Sequence, residues 1–293
     1  MDRWPDEPTL RTLHGRMRQA AGQLRLPFRS RAWRGESGQW LGAGIGSSID
    51  FQDHRQYLPG DDPRYIDWQA YARTGHYTMK LYREEVSPRV DVALDCSASM
   101  FFDDAKRERA LELFYFAAES ALHSGASLRC HAVNGRSAPW PVESVFAGRM
   151  PARFDAEAGA GAPVIAHVPW RQGSLRVLVS DLLFAGSPEP LLRALSVNKG
   201  RGVILAPFAA AEADPDWTGN VEFHDCETRA KRVQHVASDL LERYNRAYLR
   251  HFEVWKEHCR RHAALLARVA AEPEFHTAMR VDALRIGAVE LVH

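Results

Sequence analysis

DVALDCSASM, residues Asp91 to Met100, holds the reading of this chain. A short apolar run, Val90 to Leu94, is broken only by Asp91 and reads as a buried strand. Asp95, Ser97 and Ser99 follow at once in the spacing D-x-S-x-S. Where a strand passes into a loop, alternate side chains point the same way, so one carboxylate and two hydroxyls can face a common point. Converging oxygens suit a hard cation such as magnesium (Mg2+), which takes an octahedron at about 2.0 to 2.1 Å and accepts a further carboxylate from elsewhere. Asp181, closing RVLVSD (Arg176 to Asp181), stands at the equivalent place on a later strand and can supply it. Asp and Ser also cap helices and make turns, so the competing reading has these side chains bonding backbone amides at a strand end.

Around this motif the hydrophobic spacing alternates between strand and helix. A helix is expected from the acidic start Asp103-Asp104, with Ala110, Leu113, Phe114, Ala117, Ala118, Ala121 and Leu122 as its apolar stripe. SLRCHAV is the next strand, RVLVSD another, SPEPLLRALS a helix, GVILAPF (Gly202 to Phe208) a further strand, and NVEFHD (Asn220 to Asp225) the last. This order predicts an α/β fold, a largely parallel sheet with helices on both faces, whose ligands collect at the carboxyl ends of the strands. A long helical pattern starts at Ser238 and keeps Leu241, Tyr244, Tyr248, Phe252, Trp255, Cys259, Ala263 and Leu266 on one side, and a last helix follows Pro273. Upstream, Leu10, Leu13, Met17, Ala20, Ala21 and Leu24 mark an amphipathic N-terminal helix, and YTMKLYREE a strand. The chain is thus expected to divide into an N-terminal helix and signature segment docked on the core (1–85), an α/β core (86–230) and a C-terminal helical extension (231–293).

Composition narrows the class. The 293 residues are 45% hydrophobic with a net charge of +1, enough for one large core or two modest ones. No apolar run of about eighteen residues spans a bilayer, and the N-terminus has no apolar block of the secretory kind, so a cytoplasmic protein without a membrane span is expected. Cys96, Cys130, Cys226 and Cys259 form no CxxC pair, which argues for reduced thiols. Residues 1–40 hold eight Arg against four acids, but basic and aromatic residues are not interleaved, which argues against nucleic acid. Gly42 and Gly44 lack the third glycine of a dinucleotide fingerprint. His258 and His262 have zinc-chelating spacing but no third ligand, and Cys96 has no base beside it. Asp225 and Glu227, in HDCETR, follow a strand and either reach the carboxyl-end surface or brace their own loop.

The stretch YLPGDDPRYIDW, Tyr57 to Trp68, precedes the motif. Pro59-Gly60 favours a turn, Asp62 suits an N-cap and Pro63 a first helical position, so DPRYIDWQAYA is expected as one short helix. Ile66 and Trp68 are expected to anchor it on the main sheet, with Arg55, Arg64, Asp67 and Arg73 as paired charges. The segment, with Tyr57, Gly60, Asp61 and Asp62, serves either as a structural staple or as a partner-recognition surface.

LDCSASM followed by VLVSD resembles the metal-ion-dependent adhesion site of von Willebrand factor A domains. RQYLPGDDPRYIDWQAYARTG with KLYREE resembles the signature of the bacterial domain of unknown function fifty-eight, and the likeness continues through FHDCETR, RYNRAYLRHFEVWKEHC and RIGAVEL. That resemblance implies a von Willebrand factor A-like fold, company with MoxR-type AAA+ ATPases and their client proteins, and a role in assembly or maturation of complexes. The adhesion motif normally adds a threonine from a glycine-rich loop, where this chain has Ala162 and Pro163. Two functions follow as expectations. One is a non-enzymatic adaptor in which Asp95, Ser97, Ser99 and Asp181 hold magnesium and a partner carboxylate completes the shell. The other is a metal-dependent phosphohydrolase with Asp95 as nucleophile, although such enzymes want a second carboxylate where Ser97 stands.

Overall fold

The computed structural model describes residues 4–28, 42–44, 51–59, 61–84, 88–150, 163, 165–228 and 230–292. They fall into two compact units, Met1–Arg29 with Arg89–His293, and Ser30–Pro88. This partition differs from the expected one: residues 1–29 and 231–293 both belong with the sheet.

The first unit begins with α1 (Glu7–Ala20), capped by the Asp6 carboxylate, which accepts from the Thr9 amide at 3.1 Å. Its buried Leu10, Leu13, Met17 and Ala20 recur at helical spacing, as the sequence predicts. β1 (Leu24–Arg25) follows.

The second unit is a small antiparallel sheet. β2 (Gly42–Gly44) and β3 (Phe51–Gln56) flank a central strand, β4 (Thr78–Glu84), with α2 (Trp68–Thr74) between β3 and β4 in the chain. The expected single helix over DPRYIDWQAYA is two pieces. Asp62 caps only a 3-10 turn, Pro63–Tyr65; Ile66 is extended (φ −67°, ψ 133°) and bridges Met79; Asp67 then caps α2, accepting from the Gln69 and Ala70 amides at 3.0 Å. A second good N-cap inside the stretch, together with the strand bridge, divides what local propensity would join. Ile66 is buried and bridges Met79 of its own small sheet instead of serving as the expected main-sheet anchor, and Trp68 is no buried anchor. It is 58% exposed, and its ring stands edge-on to Tyr71 and Tyr77, which stack with centroids 4.5 Å apart. Arg55 pairs bidentately with Asp61 (2.6 and 2.7 Å) and Arg64 with Asp62 (2.5 Å). Asp67 Oδ1 caps α2, and Arg73 reaches the Gln69 carbonyl at 3.3 Å. Tyr57 donates its amide to the Tyr77 carbonyl. Gly60 lies outside the described residues.

The main sheet of the first unit contains β5 (Arg89–Asp95), β6 (Ser127–Asn134), β7 (Arg136–Trp140), β8 (Leu175–Val179), β9 (Arg201–Phe208) and β12 (Leu265–Ala270). Their order is β12-β9-β8-β5-β6-β7, all parallel except the β7 edge. β5 and β8 lie between other strands and are buried on both faces, which is why both read as nearly continuous apolar runs. Asp91 interrupts that run at 0% exposure, and its carboxylate takes the Arg171 amide (3.0 Å) and Nε (2.7 Å). Between these strands run α3 (Asp104–His123), α4 (Val142–Phe146), α5 (Glu189–Ser196) and α6 (Ala210–Ala213). Ala93, Leu178 and Ile204 stand in register and pack with α5 and with the long α7 (Ser238–Arg261). Val92, Leu94, Val177 and Val179 point the other way, where α3 lies under α1, tied to it by Arg16 to Glu108 and Glu112 at 2.6 Å.

Three expectations about the C-terminal half need correction. NVEFHD is not a strand of the main sheet: β10 (Gly219–His224), whose burial alternates, pairs antiparallel with β11 (Lys231–Val236) as a separate ribbon. The long helix ends at Arg261, not past Leu266, because Ala263 turns left-handed (φ 50°) and Leu265 opens β12. Residues 231–293 are therefore no purely helical extension. They supply a sheet strand, then α8 (Phe275–Val281), and β13 (Glu290–Leu291), which pairs with β1. No helix among the described residues is long and apolar enough to cross a membrane.

Candidate strand-end site

Parallel pairing of β5 with β8, Leu94 opposite Val179, delivers Asp95 and Ser180 side by side to the carboxyl edge of the sheet, with Asp181 next. Asp95 is 1% exposed. Its Oδ1 accepts from the Ser97 amide at 2.9 Å and its Oδ2 from the Ser180 hydroxyl at 2.7 Å. Burial pushes its carboxyl up to about 7, the charge of Asp181 pushes the same way, and the bonds from Ser180 and Ser97 pull only partly back. Desolvation likewise holds the Cys96 thiol well above its usual range, so it is not a reactive thiolate.

Asp181 faces a cation supplied by the chain. Lys106, in the first turn of α3, is 0% exposed and places Nζ 2.8 Å from Asp181 Oδ2 and 2.5 Å from Glu212 Oε1. Burial works to lower the Lys106 pKa, but Asp181 and Glu212 outweigh it and the net shift is upward, so the ammonium stays charged. For Glu212 burial prevails and raises the carboxyl despite Lys106. The other oxygens are also used: Asp181 Oδ1 takes the Leu183 amide at 2.9 Å, and Glu212 Oε2 the Ala209 amide at 2.8 Å. Between Asp181 and Leu183, the buried Leu182 has φ 61°, a region that costs a leucine free energy and tends to occur at functional sites.

The two motif hydroxyls lie nearer the surface. Ser97 Oγ and Ser99 Oγ are 3.1 Å apart, and the Ser99 amide donates to Glu227 Oε1 at 2.8 Å. Glu227 comes from the β10–β11 turn, where Asp225 Oδ1 accepts the Glu227 (2.9 Å) and Thr228 (2.7 Å) amides. Asp225 therefore braces its own loop, and Glu227 reaches the carboxyl-end surface.

The chain thus brings Asp95, Ser97, Ser99 and Asp181 to one edge, but the donor set does not fit a magnesium ion. The cation position beside Asp181 is filled by Lys106, Asp95 is closed off by Ser180 and the Ser97 amide, and the loop expected to carry a threonine has Pro163, with Ala162 outside the described residues. Among the described residues no group of three or more His, Cys, Asp or Glu could hold a metal ion. The His258 and His262 pair is also no zinc site. His262 Nε2 meets Glu189 at 2.9 Å, while His258 Nδ1 meets the Val254 carbonyl.

Lys106, Glu212 and Ser180 were not picked out by the sequence reading. Glu212 closely follows the end of GVILAPF, so the strand-end rule that singled out Asp181 applies to it as well. Lys106 carries no such signal, because a lysine after an acidic helix start reads as solvent-facing.

A family model described as "Protein of unknown function DUF58" matches residues 53–141. Two curated relatives are an uncharacterized protein of Mycobacterium bovis (Mb1516) and one of Mycobacterium tuberculosis (Rv1480). Each is 28% identical over 235 residues, covering 73% of this chain and 72% of the relative.

Proposed function

From the premise that the chain belongs to the DUF58 family, we propose that it is a non-enzymatic adaptor with a von Willebrand factor A-like core, which docks an acidic side chain of a partner at the carboxyl edge of its sheet. The observation that carries this reading is Glu227 on Ser99: a carboxylate already rests on a backbone amide beside the paired hydroxyls of Ser97 and Ser99. A glutamate or aspartate of another protein can take its place with the same contacts. The strand order, with five parallel strands and one antiparallel edge, and the D-x-S-x-S motif at the end of an inner strand support the von Willebrand factor A likeness. The partners proposed, a MoxR-type AAA+ ATPase and its clients, come from the family resemblance alone.

The phosphohydrolase alternative asks Asp95 to attack phosphorus, which a carboxylate 1% exposed, with both oxygens hydrogen-bonded and its pKa raised to about 7, is poorly placed to do. Capture of a purified MoxR-type ATPase by the immobilised chain tests the docking reading. Glu227→Ala removes the internal occupant and should tighten capture roughly tenfold, the worth of one charge-assisted hydrogen bond, while the double change Ser97→Ala/Ser99→Ala should weaken it. Equal capture by both variants removes the strand-end edge from the interface, and phosphomonoester turnover that is lost in Asp95→Asn restores the hydrolase.

A further inference from the structure

At the carboxyl edge of an α/β sheet, three segments that follow neighbouring strands converge: α3 after β5, the Asp181 loop after β8, and α6 after β9. Each contributes one charged side chain, Lys106, Asp181 and Glu212. A divalent metal is one common means of tying such carboxylates together. We infer that Lys106 is the resident cation of this cluster, holding the position a divalent ion would occupy and making the edge independent of metal. The inference stands on the geometry of the strand-end cluster and not on what docks there.

The ammonium is built in from every side. The Lys106 backbone is fixed by Asp103, whose Oδ1 accepts the Lys106 amide at 2.8 Å, so the stem starts from a pinned point. Its head donates to Asp181 and Glu212, and the Phe102 ring lies 5.1 Å from Nζ, a cation–π contact. At 0% exposure the head has no open side from which a hydrated ion could enter. Magnesium gives up its waters reluctantly. An ion bound directly to Asp181 would also face the buried ammonium across a few ångströms without water between, where like charges repel far more strongly than in solvent. The two carboxylates are committed as well, Asp181 to the Leu183 amide and Glu212 to the Ala209 amide, which leaves each aimed at Nζ.

The test reads metal and not partner capture, so it can fail while the docking reading survives, and the reverse. The full chain, freed of metal with EDTA, is titrated with Mn2+ and followed by electron paramagnetic resonance. Its melting temperature is recorded with EDTA and with millimolar Mg2+. The wild type is expected to leave Mn2+ free and to melt at the same temperature in both, whereas a resident site filled at about a hundredfold excess over its Kd would raise the midpoint by several degrees. Lys106→Ala is expected to gain one Mn2+ per chain, and Lys106→Ala/Asp181→Asn to lose it again. Stoichiometric Mn2+ binding by the wild type that disappears in Asp181→Asn overturns the inference, as does a folded Lys106→Ala that binds none. If Lys106→Ala does not fold, the wild-type titration decides by itself.

Discussion

Replacing Asp95 by Asn asks whether this carboxyl is carried as an acid or as an anion. Asn keeps the shape, accepts the Ser97 amide through its oxygen and donates to the Ser180 hydroxyl, but it cannot ionise. In the folded wild type burial, with the charge of Asp181 beside it, pushes the Asp95 carboxyl up to about 7 from its ordinary 3.8. A folded-state pKa above the unfolded value means that the native state holds the proton longer. This part of the stability is complete below about pH 4 and is lost as pH rises through 7. At 1.36 kcal/mol for each tenfold change in proton affinity, the rise to about 7 makes the total roughly 4 kcal/mol, of which about 3 kcal/mol falls between pH 5 and pH 8. Titrating groups remote from Asp95 act alike in both proteins, so the quantity to follow is the difference in urea unfolding free energy between Asp95→Asn and wild type, measured from pH 5 to pH 8. It should move in favour of Asp95→Asn by that amount as pH rises. A difference that stays flat, or that moves in favour of the wild type, would show that a positive group not considered above holds Asp95 charged, and the account of the strand end would fail.

Two further outcomes follow from the fold. Arg171→Ala strands the Asp91 carboxylate at 0% exposure in the middle of β5 and should cost about 3 to 5 kcal/mol, with part recovered in Arg171→Ala/Asp91→Asn; urea unfolding of the two variants checks this. Asp67→Ala uncaps α2 and should cost about 1 kcal/mol, while Asp67→Ser costs less because a hydroxyl still caps. The readout is the protection of the Ala70 and Tyr71 amides in hydrogen exchange.

The parallel sheet was legible because β5, β8 and β9 are buried on both faces and leave an uninterrupted apolar record. The same rule, applied strictly, would have excluded NVEFHD from that sheet, since its burial alternates as in a ribbon with one wet face. β12 was hidden because no glycine or proline marks the end of α7. Ala263 takes the left-handed turn itself, and Leu266 continues the spacing of the helical stripe. In the second unit the aromatic Trp68 suggested an anchor, yet its two tyrosine neighbours give it packing without deep burial. At the candidate site, residue spacing placed the acids and hydroxyls but not their counter-ion. A charge meets its partner through the arrangement of three strands, and that arrangement lies beyond any local pattern.

Leu24 and Arg25 find their strand partners only at Leu291 and Glu290. Pairing residues so far apart along the chain closes a very long loop, whose entropic cost grows only with the logarithm of its length. Contacts of that separation are the ones that slow folding, so the β1–β13 clasp is expected to close after the local helices and hairpins have formed.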